Sequence, residues 1–137
     1  MPTNSFSNYP GGFSGGLTVR GVPILNTHAG NIWFVDSGTG NDSGGADGSL
    51  TKPFATIDYA IGRCTASNGD IILVYPGHAE TLAAAGAITI DVAGISIKGM
   101  GVGNNRPVLT ITPATVGVNC ITWSAANCSF ENIVCVA

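Results

Sequence analysis

Ile88-Thr-Ile-Asp-Val-Ala-Gly-Ile-Ser-Ile-Lys-Gly-Met100 aligns without gaps to Ile121-Thr-Trp-Ser-Ala-Ala-Asn-Cys-Ser-Phe-Glu-Asn-Ile133, at an offset of 33 residues. Hydrophobic positions superpose: Ile88 on Ile121, Ile90 on Trp123, Ile95 on Cys128, Ile97 on Phe130 and Met100 on Ile133. Turn positions superpose as well, Gly94 on Asn127 and Gly99 on Asn132. Gly and Asn are the two residues that best tolerate a left-handed backbone. A short strand, a turn, a second short strand and a second turn therefore occur twice. Repetition of this kind is the mark of a solenoid, in which each coil buries its inward residues against the one before. Short strands, sharp corners and inward Ile, Cys and Phe fit a parallel β-helix; the other reading is a β-sandwich with a chance similarity.

Working outward from the repeat, the same pattern continues. Gly69-Asp70 opens the run Ile71-Ile-Leu-Val-Tyr75, and Pro76-Gly77 closes it as a type II turn. Further short β runs are expected at 88–92, 95–98, 108–112, 118–123, 128–130 and 133–136, and a strand at Asn31–Val35. One helix is expected, at about 53–63. Pro53 suits a first helical position, and Phe54, Ile57 and Ile61 share a face. Lying just before the first coil, this helix is expected to cap the coil's apolar end through those three residues. The fold class expected is mostly β: a short parallel β-helix of about three coils. No polar segment follows Ile133-Val-Cys-Val136, so the last coil is expected to be covered by another subunit or protein, or to continue in a longer product.

Residues 1–30 read as an extended arm and 31–137 as the β-helix domain. The arm is rich in Gly, Ser, Asn and Pro and carries Phe6, Tyr9 and Phe13 at intervals of three and four. Such a stretch cannot bury enough apolar surface to fold alone, but its aromatics suit the grooves of a partner; folding back on its own domain is the alternative. Leu17-Thr-Val-Arg-Gly-Val-Pro-Ile-Leu25 reads as one short strand, with Pro23 at an edge or an end. Partner contacts are expected from Phe6, Tyr9, Phe13, Leu17, Val19, Arg20, Val22 and Ile24.

Composition excludes several functions. Hydrophobic residues make up 45% of the chain but charged residues only 9%, against ~25% in a typical soluble domain, and glycine occurs 20 times. Five Lys and Arg, set singly along the chain, leave no basic footprint for nucleic acid. The uncharged stretch 107–130 is long enough to span a bilayer, but Pro107, Pro113 and recurrent Thr, Ser and Asn make it polar β structure. No secretory leader is expected, since Met1–Phe6 lacks a cationic start and no apolar run follows. Cys64, Cys120, Cys128 and Cys135 are then expected as free thiols. The last three fall at inward or corner positions and read as small core hydrophobes.

Two resemblances follow from these residues. Lys52-Pro-Phe-Ala-Thr-Ile-Asp-Tyr-Ala-Ile61, with Gly69-Asp-Ile-Ile-Leu-Val-Tyr-Pro-Gly77 and Glu80, resembles the opening of right-handed parallel β-helix proteins of the pectin-lyase-like class. There a capping helix precedes a G-D-x-I-x-V-x-P-G first coil. Tyr9-Pro-Gly-Gly-Phe13 with Gly16-Leu-Thr-Val-Arg-Gly-Val-Pro-Ile24 resembles virion structural proteins of tailed bacteriophages. The second resemblance implies a capsid decoration (cement) protein, a head fibre or a tail spike, commonly trimeric. The chain departs from tail spikes in its few coils and in lacking a receptor-binding or catalytic region.

The motifs that could carry chemistry are weak. Gly12-Phe-Ser-Gly-Gly16 matches G-x-S-x-G, but that motif needs a strand before the serine and a helix after it. Asp36, Asp42 and Asp47 could offer oxygens to Ca²⁺, yet lack the spacing of a calcium loop, and a solvated loop is the reading preferred. His28 and His78 have no Cys or carboxylate at zinc-ligand spacing. Residues 70–137 hold Asp70, Glu80, Asp91 and Glu131; Asp91 aligns to Ser124 and Glu131 to Lys98, so no acid stacks on an acid. No enzymatic activity, metal or cofactor is expected. The function expected is a virion structural protein, assembled in the host cytoplasm, that binds and stabilises the capsid shell. Its partners would be the major capsid protein or other virion proteins and two further copies of itself, with no nucleic acid and no membrane. The alternative is a tail-spike or tail-fibre module that binds or cleaves host polysaccharide, with Trp123 and Tyr75 as stacking candidates. The alignment of Trp123 with inward Ile90 counts against it.

Overall fold

The computed structural model describes residues 18–19, 22–23, 30–113 and 116–137. In chain order the strands are β1 (Thr18–Val19), β2 (Val22–Pro23), β3 (Ile32–Val35), β4 (Ile71–Val74), β5 (Ala79–Leu82), β6 (Ile88–Ile90), β7 (Ser96–Gly99), β8 (Val108–Ile111), β9 (Ile121–Trp123), β10 (Ser129–Glu131) and β11 (Val134–Val136). One helix, α1 (Ile57–Ile61), lies between β3 and β4, and a 3-10 turn spans Gly103–Asn105. The chain is mostly strands in parallel sheets. A first sheet has the order β3-β4-β7-β10, a second β5-β8-β11 and a third β6-β9. From β4 onward the chain visits the first, second and third sheets in turn, then returns to the first beside the strand it left.

The pairing register is the one the aligned segments predict. Ile88 pairs Ile121 and Ile90 pairs Trp123, while Ile97 pairs Phe130 and Lys98 pairs Glu131. Parallel in-register neighbours put like residues on one face, so inward side chains stack into ladders. One ladder runs Trp33, Ile72, Ile97, Phe130 across the first sheet. Val35, Ile72, Val74, Ile88, Ile90, Ile95, Ile97 and Leu109 have no exposed surface and form the core. Some outward positions are polar and interact in the same register: Thr122 and Thr89 hydroxyls lie 3.3 Å apart, and Lys98 and Glu131 make an exposed pair at 4.0 Å.

The corner positions behave in two ways. Gly94 and its repeat mate Asn127 both take positive φ, +76° and +58°, as does Asn132 at +57°. Gly99 does not. It is required by close approach, because a Cβ there would lie 2.3 Å from the Asn132 carbonyl oxygen. The Asn132 side chain in turn donates to the carbonyls of Gly99 and Gly101, at 2.9 and 3.0 Å, and ties one corner to the next. Gly99→Ala should therefore push β7 and β10 apart and cost about 2 kcal/mol, within the range for overpacking. A urea midpoint unchanged from the parent protein would contradict that contact.

Four expectations need correction. The helix is Ile57–Ile61, shorter than 53–63, because the backbone of Phe54 is used elsewhere: its N–H donates to the Phe34 carbonyl and its carbonyl accepts from Asp36, both at 2.9 Å. Thr56 is the N-cap, its hydroxyl accepting from the Tyr59 N–H. The stretch 17–25 is not one strand; β1 and β2 pair antiparallel, Thr18 with Pro23 and Val19 with Val22. Ala79–Leu82 is a strand that was not expected. Finally, Trp123 and Cys135 are exposed, although their register partners Ile90 and Leu109 are fully buried. Both sit on strands that have a described neighbour on one side alone, so nothing among the described residues stacks on them.

Candidate functional site

The most built-up region is formed by β3, the 36–56 loop and α1. Phe54, Ile57 and Ile61 are buried there, and α1 packs on β3, β4 and β6. The three loop aspartates each accept local donors. Asp36 takes the Gly38 N–H at 3.0 Å and the Thr39 hydroxyl at 2.6 Å. Burial raises its carboxyl, but the bonds from Thr39 and Gly38 outweigh this and hold it below the usual carboxylate range. Asp42 reaches the start of the helix, accepting from the Ala55 N–H at 2.7 Å and the Thr56 hydroxyl at 2.6 Å. Asp47 accepts from the Ser49 N–H at 3.0 Å. Among the described residues no group of three His, Cys, Asp or Glu side chains could hold a metal ion.

Two buried polar groups lie at the seam between the β3–α1 segment and the strands that follow it. His78 has no exposed surface; its Nδ1 accepts the Ser37 N–H at 3.0 Å, and its Nε2 lies 3.2 Å from Glu80 Oε2. With Nδ1 accepting, the Nε2 side of the ring faces Glu80. Glu80 Oε2 also accepts the first helical N–H, that of Ile57, at 3.3 Å. Both imidazole nitrogens are thus engaged by the fold, so His78 is a joint between loop, strand and helix rather than a free base. Sequence reasoning singled out His78 only as a poor zinc ligand. The inward spacing His78, Glu80, Leu82 was the available signal. Asp70, also fully buried, accepts the Asn31 N–H, the Thr65 N–H and the Asn68 side-chain amide, each at 2.7 Å.

Beside this seam lies a cavity of about 260 Å³, lined by Trp33, Phe54, Tyr59 and Arg63 with Gly44, Ala46 and Asp47 of the loop. The rings form a cluster: Trp33 and Phe54 are 5.8 Å apart at 37°, Phe54 and Tyr59 5.0 Å apart near edge-on. The Arg63 guanidinium sits 4.7 Å over the Tyr59 ring and donates to its hydroxyl. Gly48, at φ +74°, lets the loop pass against this cluster; a Cβ there would lie 2.5 Å from Phe54 and 2.6 Å from Trp33. The Trp33 indole N–H is buried and has no acceptor among the described residues.

Of the expected arm contacts, Phe6, Tyr9, Phe13, Leu17, Arg20 and Ile24 lie outside the described residues, and Val19 and Val22 pair through their backbones in the β1–β2 hairpin. The cysteines are free: Cys120 is buried, Cys64 and Cys128 half-buried and Cys135 exposed. Burial, and then the Asp70 carboxylate, push the Cys64 thiol up to about 12, so it stays protonated and unreactive near neutral pH. No described helix is long and apolar enough to cross a membrane. Family models, curated proteins and solved structures were compared with the chain, and none matches it.

Proposed function

We propose that the chain is a right-handed parallel β-helix of about three coils, closed at its first rung by α1 and the 36–56 loop, and that it serves as a structural protein of a tailed-phage virion. The cyclic visiting of three parallel sheets supports the coil reading, and parallel crossovers are right-handed in nearly all proteins. The observation that carries the function is where the polar and apolar groups lie. The buried side chains of His78 and Asp70, with the partly buried Glu80, are engaged in holding the backbone, while β9 and β11 expose apolar side chains, Trp123 at 51% and Val136 at 46%. Such surface suits contact with other subunits. The role that fits is a non-enzymatic capsid decoration protein, forming a trimer and binding the major capsid protein through the aromatic arm.

Deleting residues 1–16 tests this reading. The truncated protein should keep the circular dichroism and melting temperature of the full chain but no longer co-sediment with phage heads. Retained co-sedimentation would remove the arm from the interface. The exposed ring of Trp123 also supports a second reading, a tail-spike module binding host polysaccharide. A glycan screen separates the two: binding abolished by Trp123→Ala favours the spike, and no binding favours the shell.

A further inference from the structure

We infer that strands β9, β10 and β11 form an association surface, and that its partner is a second copy of this chain, met face to face across a two-fold axis. Two kinds of unmet group coincide on the same residues. Trp123, Phe130 and Cys135 stand in register with the fully buried Ile90, Ile97 and Leu109. Trp123 and Cys135 are nonetheless exposed, and Phe130 is only partly buried. The backbone of these three residues is open too. Their neighbours face the inner strands: the N–H groups of Ser124, Ser129 and Val134 donate to the carbonyls of Ile90, Ile95 and Pro107, at 3.0, 3.0 and 2.9 Å. Along a strand, successive residues turn their N–H and C=O to opposite sides. Trp123, Phe130 and Cys135 therefore aim theirs away from the inner strand, and no described strand lies on that side.

Three features choose the occupant. The proposed coils bring the three open edges to one end of the chain, and this inference rests on that reading. A single extended segment could pair with one edge and would leave two open; a second copy presents three edges in the same arrangement. The β3 edge is not available as the matching surface. The Phe34 N–H already donates to the Gly48 carbonyl and the Phe34 carbonyl accepts from the Phe54 N–H, both at 2.9 Å. Copies therefore cannot add head to tail into a fibre and meet by their like ends, which closes the assembly. Charge permits like against like. Glu131 is the one charged residue in 121–137, and its carboxylate lies 4.0 Å from Lys98 of its own chain. A two-fold axis reverses the strand direction, so the new ladders are antiparallel. One of the three strands pairs with its counterpart, and the other two exchange partners.

Sedimentation equilibrium and amide hydrogen exchange of the full chain, each at rising concentration, test the interface. The mass should reach two copies, or six if the proposed trimer also forms. One copy or three overturns the inference, and three leaves the trimer standing. Exchange at Trp123, Phe130 and Cys135 should slow together as the mass grows. Slowing at none of them overturns the interface and leaves the coil reading untouched. Slowing on one strand alone means that the edges do not share an end, and the coil reading falls with the inference. Cys135→Pro removes an N–H aimed away from β8, which an edge strand tolerates. It should weaken association at least ~10-fold, about 1.4 kcal/mol, and keep the parent's melting temperature where the parent is dissociated. Trp123→Lys, at a residue 51% exposed, should weaken association likewise without burying a charge in the free chain. Ile32→Lys, on β3 and 45% exposed, is the control and should leave the mass unchanged. Equal masses for the parent and both interface variants, or a loss of association in Ile32→Lys alone, would place the contact elsewhere and overturn the inference.

Discussion

Asp70→Ala is expected to destabilise the protein by about 3–5 kcal/mol, the cost of breaking a buried charged network. The carboxylate has no exposed surface and accepts three bonds of 2.7 Å, from the Asn31 N–H, the Thr65 N–H and the Asn68 amide. Hydrogen bonds to a charged group contribute ~1.5–3 kcal/mol each, and a buried donor left without its partner keeps its desolvation cost. Alanine would orphan two backbone N–H groups, those of Asn31 and Thr65, just before β4 pairs with β3. Asp70→Asn, which keeps the shape but turns an N–H₂ toward donors, should cost about half as much. The pH dependence has a definite sign. Burial raises the carboxyl, but the bonds from Thr65, Asn31 and Asn68 outweigh it and leave it below its usual value. The stabilisation is therefore complete above the unfolded value, ~3.9, and is lost as pH falls through the lower folded value. Urea denaturation at pH 7 and pH 3 checks both points. The parent should lose stability across that interval and Asp70→Asn should lose markedly less, with Asp36 and Asp47 keeping part of the slope in each. Equal slopes would mean that the network does not hold the charge.

The repeat was legible because its two copies are apolar at the same positions. Ile88 over Ile121 and Ile97 over Phe130 leave one register that keeps both sets buried, and a one-residue slip would turn them to solvent. The strand Ala79–Leu82 was not legible for the opposite reason. Ala-Glu-Thr-Leu has little strand propensity, and the inward spacing runs through His78, just before it, and Glu80, so no apolar alternation appears. It is a strand because β8 pairs with it and because Ser37 and Ile57 supply the donors those polar groups need. The helix was read too long for a related reason. Phe54 has the right spacing to join the stripe of Ile57 and Ile61, and spacing does not reveal that its N–H and C=O are committed to β3. The cavity lined by Trp33, Phe54 and Tyr59 lay beyond sequence reading altogether. Trp33, Phe54 and Tyr59 are scattered along the chain, and only the path of the 36–56 loop brings them together. Exposure at the outer rungs was misread because the register fixes which face a residue takes, not whether another layer covers it: Trp123 and Cys135 share faces with buried partners and remain open.

Ile97→Ala and Phe130→Ala turn that last distinction into a measurement. Ile97 is fully buried, with Ile72 in register on one side and Phe130 on the other. Truncating it removes the middle of the ladder, and the rungs on either side are held by their own backbone pairing and cannot collapse into the space. A cost of about 3–4 kcal/mol is expected, in the middle of the range for Ile to Ala in a core. Phe130 is larger, and if fully enclosed its truncation would cost ~3–5 kcal/mol. It is only half-buried, packing on the core from the outer rung of the first sheet, so about 2 kcal/mol is expected in the isolated chain. The order of the two costs therefore reports whether that rung is covered in solution. Urea midpoints taken at several protein concentrations decide it. If Phe130→Ala costs less than Ile97→Ala at every concentration, the outer strand is open in the free protein and available to a partner. If its cost overtakes that of Ile97→Ala and the parent's stability climbs with concentration, a second copy already covers the rung, since a partner that binds only the folded form stabilises it by mass action.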